Sequence, residues 1–221
     1  MTSIGSRKYG DPCGVARSLN VLGDRWALLI VRDLLLGPKR FKDLQDGLQD
    51  AGPNVLTQRL ADLADAHVVG RRRLPPPADV WVYELTERGQ ALEPVLIHLG
   101  RWGSDLPYRS DRRILGTDSL VLGMKASFDS HPAVDLAGTY ELWIGADVFT
   151  IHLDRTALSA KRATVAGPQA VIHTDSETLT RIVMDGLAPQ DAIARGKLVI
   201  EGGQAARAEA LLELAAGNRP R

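Results

Sequence analysis

The sequence predicts an α+β chain in two parts: a helical N-terminal half that ends in a β-hairpin, and a C-terminal half in which an antiparallel sheet carries helices. Three observations predict it. Apolar residues recur at helical spacing up to Leu63. Two strand-like runs, VVGRRRL and VWVYELT, then flank Pro75-Pro76-Pro77-Ala78-Asp79. Beyond Leu136, short alternating runs separated by Gly or Asp turns give way again to helical patterns.

At 221 residues and 44% hydrophobic content, the chain suits two modest domains. The polar, basic stretch LPYRSDRRILGTDS reads as a linker, which sets the expected limits at 1–105, 106–117 and 118–221. Net charge is zero, with 14 Lys+Arg against 13 Asp+Glu up to residue 105 and the reverse after it. Nucleic-acid binding must therefore rest on a local cluster. A single cysteine excludes an internal disulfide framework. With no leader and no apolar run of membrane length, a cytoplasmic protein without membrane contact is expected.

Asp11-Pro12 suits a helix opening, because Asp accepts orphan backbone N–H groups and Pro is pre-set for the first helical position. CGVARSLNVL then places Val15, Leu19 and Leu22 along one side. RWALLIVRDLLL is apolar over most of its circumference, as a central helix would be, and Gly37-Pro38 ends it. RFKDLQDGL carries Phe41, Leu44 and Leu48 on one face. After the turn QDAGP, a helix from Asn54 to Ala66 has Leu56, Leu60 and Leu63 as its core face, which leaves Asn54, Gln58 and Ala61 opposite and Val55 and Thr57 on the flanks.

Two helices joined by a short glycine-containing turn, the second offering amides and a hydroxyl at its start, meet the requirement of a helix-turn-helix. Amides bond adenine edges in pairs, and Thr serves a base or a phosphate. An ordinary exposed helix face is the other reading. The hairpin favours the first, since Arg71, Arg72 and Arg73 point to both faces of their strand and cannot all be buried. A basic hairpin directly after such a helix is a wing, which holds phosphates or enters the minor groove. Lys39, Arg40 and Lys42 would add phosphate contacts. Thr86 caps one further helix, ERGQALEPVLIHLGRW, whose stripe Leu92, Val95, Leu96, Leu99 and Trp102 exceeds what a small winged domain needs and suits dimerisation.

CGVARSLNVLGDRWALLIVRDLLLGPKRFKDLQ, GPNVLTQRLADLADAHVV and VYELTERGQALEPVLIHLGRWG together resemble the HxlR-type bacterial winged-helix transcription regulators, relatives of the MarR group, over residues 10–105. The resemblance implies a homodimer on double-stranded DNA at a pseudo-palindromic operator. Asn54, Thr57, Gln58 and Arg59 would face the groove, with Arg59 near the core flank and open to phosphate contact or packing. Cys13 stands where many members carry a cysteine, which in some senses electrophiles through a thiolate. A helix N-terminus favours a thiolate, but a small packed cysteine is the other reading, and Gly14 stands where the family often has proline.

In the second half SLVLGMKASF reads as a helix, TYELWIG, VFTIHL, ALSAKRA and AVIHT as a meander of antiparallel strands, and TDSETLTRIVMDG, APQDAIARG, KLVIEGG and QAARAEALLELAAG as helix, helix, strand and helix. The last elements resemble the sterol-carrier-protein type of lipid-binding domain, with Gly196, Gly202 and Gly203 at its glycine positions. That resemblance implies an apolar tunnel lined by Leu179, Ile182, Val183, Leu187, Ile193, Leu211 and Leu214; plain core needs the same residue types.

No catalytic set, cofactor motif or metal-like histidine spacing is present in the sequence; His152 and His173 are at most neighbours across a sheet. The function expected is that of a transcription regulator, a repressor, responding to an apolar small molecule or lipid in the C-terminal domain or to Cys13 oxidation. The competing expectation is a lipid or small-molecule binding protein whose winged helix contacts other proteins.

Overall fold

The computed structural model describes residues 9–106, 114–128, 136–154 and 157–216. Two compact units divide at Glu93 and Pro94. The division precedes the expected linker, of which 107–113 lie outside the described residues and Thr117 already opens a helix.

The first unit runs α1 (Gly14–Leu22), α2 (Ala27–Leu34), α3 (Phe41–Gly47), α4 (Pro53–Asp65), β1 (Val69–Arg73), β2 (Trp81–Leu85) and the short α5 (Glu87–Gln90). Ile30, Val31 and Leu34 of α2, Leu44 of α3, and Leu56, Leu60 and Leu63 of α4 are each no more than 2% exposed. At roughly 1.5–3 kcal/mol for each large side chain removed from water, this cluster holds the three helices together. The helix begins two residues later than Asp11-Pro12 suggests: Cys13 is the N-cap, its sulfur accepting from the Ala16 N–H at 3.3 Å, and Asp11 instead holds the Cys13 N–H at 2.9 Å. The hairpin β1–β2 is in register from Val69↔Leu85 to Arg73↔Trp81, and a backbone bridge between Lys39 and Tyr83 adds a third strand position beside it.

Thr86 caps α5 through the Gly89 N–H and donates its own hydroxyl to His67 O at 2.7 Å. The single helix expected beyond it is two, α5 and α6 (Glu93–Ser104). Pro94 explains the break, having no N–H to continue the ladder but fitting the first turn of a new helix.

The second unit contains the rest of α6, then α7 (Thr117–Phe128), β3 (Gly138–Ile144), β4 (Asp147–Leu153), β5 (Leu158–Lys161), β6 (Ala170–Thr174), α8 (Ser176–Thr180) with a π turn over Arg181–Asp185, α9 (Pro189–Ala194), β7 (Val199–Glu201) and α10 (Ala205–Ala216). The sheet order is β5-β4-β3-β6-β7. It is mixed, not antiparallel throughout: β6 lies parallel to β3, from Tyr140↔Ala170 to Ile144↔Thr174. The chain leaves β5 and crosses the polar face before returning beside β3. Thr150 Oγ1 donates to Ala163 O at 2.8 Å on that crossing, the Val165 N–H donates to Glu141 Oε2 at 2.9 Å, and the Gln169 N–H to Thr139 O at 2.8 Å. Alternating hydrophobicity identifies such a strand but carries no direction.

Tyr140, Leu142, Phe149, Ile151 and Ile172 fill the other face at 0% exposure, and α10 packs against α7, α9, β6 and β7. Arg162 ties α7 to the sheet: it pairs with Asp118 at 2.8 Å and with Asp147, and its guanidinium lies 4.6 Å over Phe149. Of the singled-out glycines, Gly202 has a plain requirement. At φ 110° its Cβ would stand 2.8 Å from Gln169 O, so no side chain fits there.

Candidate nucleic-acid interface

The outer face of α4 follows from its apolar spacing. With Leu56, Leu60 and Leu63 inward, Asn54, Thr57 and Gln58 stand exposed at its first turns. Their polar groups differ in readiness. Thr57 donates its hydroxyl to Pro53 O at 2.8 Å, which leaves its lone pairs outward, and Gln58 Nε2 bonds Asp62 Oδ1 at 2.8 Å. Asn54 makes no side-chain hydrogen bond among the described residues. Arg59 is half-buried. Its guanidinium pairs with Asp24 and, at 3.0 Å, with Asp62, so it fastens α4 to the chain before α2.

Arg40 and Lys42 at the start of α3 are exposed, and the Arg40 N–H is held by the Asp43 carboxylate at 3.0 Å. Lys39 is buried at 8% exposure, and its backbone is bridged to Tyr83, which leaves less of it on the surface than of Arg40 and Lys42. Arg25 escapes a reading based on helix faces. It is exposed and stacked 5.1 Å over Trp26, and its neighbour Asp24 is the partner of Arg59. The charged pair Asp24-Arg25 at the mouth of α2 was its signal in the sequence.

All three wing arginines are exposed. Arg72 pairs with Glu84 at 2.6 Å, Arg73 with Asp79 at 2.7 Å, and Arg71 lies 4.6 Å over the Trp81 ring and 5.8 Å from that of Tyr83. Asp79 sits at the hairpin tip with φ 43°, a left-handed conformation that Asp tolerates.

Two helices, a five-residue turn from Leu48 to Gly52, and an arginine-bearing hairpin make up this surface. The family model described as HxlR-like helix-turn-helix matches residues 21–111. The HTH-type transcriptional regulator YvaP of Bacillus subtilis is 34% identical over 89 residues, 40% of this chain and 82% of YvaP. The chain belongs to the HxlR-like helix-turn-helix family. The HTH-type transcriptional regulator YodB of the same organism is 35% identical over 85 residues, 38% of this chain and 76% of YodB. Among solved structures, the reduced form of YodB is 32% identical, covering 46% of this chain and 100% of its own at a TM-score of 0.39. The redox regulator HypR in its oxidised form is 28% identical, with 44% and 100% covered at a TM-score of 0.40.

In this HxlR-like chain everything from α7 onward lies outside the family match. There the tunnel candidates divide. Leu179, Ile182 and Leu211 are at most 1% exposed and Val183 is 7%, while Leu187 and Leu214 are half-buried. Ile193 faces outward at 39% exposure and lines no interior. His152 and His173 share one sheet face but are not neighbours. They sit opposite Thr139 and Trp143, on either side of β3, two strands and four residues apart, about 10 Å by 13 Å. His152 Nδ1 meets Thr139 Oγ1 at 3.0 Å, and His173 stacks on Trp143. Among the described residues no group of three or more His, Cys, Asp or Glu is placed to hold a metal, and no helix is long and apolar enough to cross a membrane.

Proposed function

We propose that the protein is a transcription regulator, a repressor, that binds a pseudo-palindromic operator as a homodimer. The observation that carries this is the exposed polar turn Asn54-Thr57-Gln58 of α4 followed directly by the Arg71–Arg73 wing. Side-chain amides are matched to base edges and guanidinium groups to phosphates. The names of YvaP and YodB as HTH-type transcriptional regulators support the same reading.

Dimerisation is supported by apolar surface with nothing described over it: Val15 and Leu19 of α1 are 71% and 44% exposed, and Val95, Leu99 and Trp102 of α6 are 52%, 44% and 64% exposed. A symmetric pair that buries either face would set two α4 helices about 34 Å apart, one turn of DNA. A signal that shifts that spacing lowers affinity without touching a base contact. Two routes supply it. One is an apolar ligand in the second unit, read as a sterol-carrier-like module. The other is oxidation of Cys13, whose exposed sulfur caps α1, the helix that carries Val15 and Leu19.

The test is selection of genomic DNA by the purified protein in reducing buffer at about physiological salt. Enrichment of a palindrome with half-sites about 10 base pairs apart is expected. Release of that DNA by diamide, or by a long-chain fatty acid, then identifies the route. No enrichment from either reduced or oxidised protein overturns the regulator reading in favour of a lipid-binding protein whose winged half contacts other proteins.

A further inference from the structure

The three wing arginines look equivalent in the sequence, and the structure makes them unequal. Between Val69 and Leu85 there are three arginines and two carboxylates, Asp79 and Glu84, so the wing carries one net positive charge. Both carboxylates are committed. Arg72 Nε stands 2.6 Å from Glu84 Oε2, across the strands, and Arg73 meets Asp79 with both Nε and Nη2, at 2.7 and 2.8 Å. A guanidinium held this way brings its carboxylate with it. Turning it toward a phosphate either breaks a charge-assisted bond or leaves an anion facing an anion, so it releases little counterion.

Arg71 has no carboxylate partner among the described residues. It lies on the face of the hairpin that carries Tyr83, directly opposite, and Trp81, diagonally opposite, and both rings lie beneath its guanidinium. Trp81 is 50% exposed, a large ring kept in water at the hairpin surface. Stacking occupies the flat face of a guanidinium and leaves its N–H edge outward, and a weakly hydrated guanidinium pays little to stay stacked while that edge bonds an anion. The shelf restricts a long side chain to one direction before any partner arrives.

We infer that Arg71 alone delivers the wing's charge to the phosphodiester backbone, with Trp81 as the positioning residue that aims it, while Glu84 and Asp79 hold Arg72 and Arg73 out of contact. The inference rests on the DNA-binding reading above. Its probe is a mixed-sequence duplex of about 30 base pairs, titrated by fluorescence anisotropy over a series of salt concentrations, because each phosphate neutralised contributes about 0.9 to the slope of log affinity against log salt.

Arg71→Ala is expected to lower that slope by about 0.9, and Arg72→Ala and Arg73→Ala to leave it near the wild-type value. Asp79→Asn should steepen it by about 0.9, because Arg73 is released. Trp81→Leu should keep the slope and lower affinity about 2- to 5-fold at every salt, and Arg71→Lys should behave in the same way, since each keeps the charge and loses the stacking. Unchanged circular dichroism and melting of each variant separate these effects from loss of the hairpin. Equal slope losses for all three arginines, or none for Arg71→Ala while wild type binds, overturn the inference. Absence of salt-dependent binding by wild type is a different result and removes the DNA-binding reading itself.

Discussion

Replacing Asn54 with alanine should damage sequence recognition more than replacing Gln58, although the two amides occupy the same face of α4. A bidentate amide contact to adenine is worth about 1–3 kcal/mol of discrimination, about 5- to 150-fold. Asn54 can offer all of it, having no side-chain hydrogen bond among the described residues. Gln58 must first release Asp62 Oδ1, bonded at 2.8 Å, which costs about 1 kcal/mol and leaves about 0–2 kcal/mol for the base. Arg59 serves as the internal control. Its pairs with Asp24 and Asp62 are partly exposed, with side-chain exposures of 23%, 43% and 39%, so Arg59→Gln should cost no more than about 1 kcal/mol of stability and relax no base position. The assay is competition binding against the selected operator and its single-base-pair variants, beside a urea melt of each protein. A base preference that disappears in Arg59→Gln, or an Asn54→Ala protein that weakens on every variant equally, would refute the assignment of α4's faces.

Three further outcomes are expected. Cys13→Ser should fold as wild type and lose any response to diamide, because a serine hydroxyl caps α1 as the sulfur does, whereas Cys13→Ala should also lose about 1 kcal/mol of stability; a diamide response that survives in the serine protein removes Cys13 from the signal route. Arg162→Met should cost the second unit about 1–3 kcal/mol, since it removes the guanidinium that pairs with Asp118, 4% exposed, and with Asp147, and a loss in denaturant melts below about 0.5 kcal/mol would mean that the pair is dispensable. Burial raises the Tyr140 hydroxyl above its ordinary value of 10.0, opposed by Arg207. The folded chain thus holds this proton more tightly than the unfolded one, so the contribution to stability is complete below pH 10 and is lost as pH rises beyond it. Tyr140→Phe should flatten that alkaline loss while forfeiting the 2.8 Å bond to Leu136 O, and an unchanged alkaline slope would refute it.

Periodicity made the first unit legible because its core is built within helices. The spacing of Leu56, Leu60 and Leu63 fixes which side of α4 is buried, and therefore which side presents Asn54, Thr57 and Gln58. The second unit was legible only as a set of elements. AVIHT reads as a strand at any position in any sheet, and its parallel place beside β3 comes from long-range bonds such as Val165 to Glu141, which no local pattern encodes. Ile193 departs from its apolar spacing for a related reason: an apolar residue in a short helix points inward only if that turn meets the core, and α9 turns this one outward.

Charge was the least legible property, because a basic residue type is visible in sequence and its availability is not. Lys39, Arg59 and Arg71 would carry the same weight in any count of cations. One is buried beside a backbone bridge, one is spent on Asp24, and one rests on two aromatic rings. An arrangement of the third kind keeps a cation exposed and oriented without committing it to a carboxylate. Its cost is an exposed tryptophan, which folding alone would favour burying. Trp81 and Val82 alternate across the strand, so the burial of Val82, at 2% exposure, turns Trp81 to the face that carries Arg71.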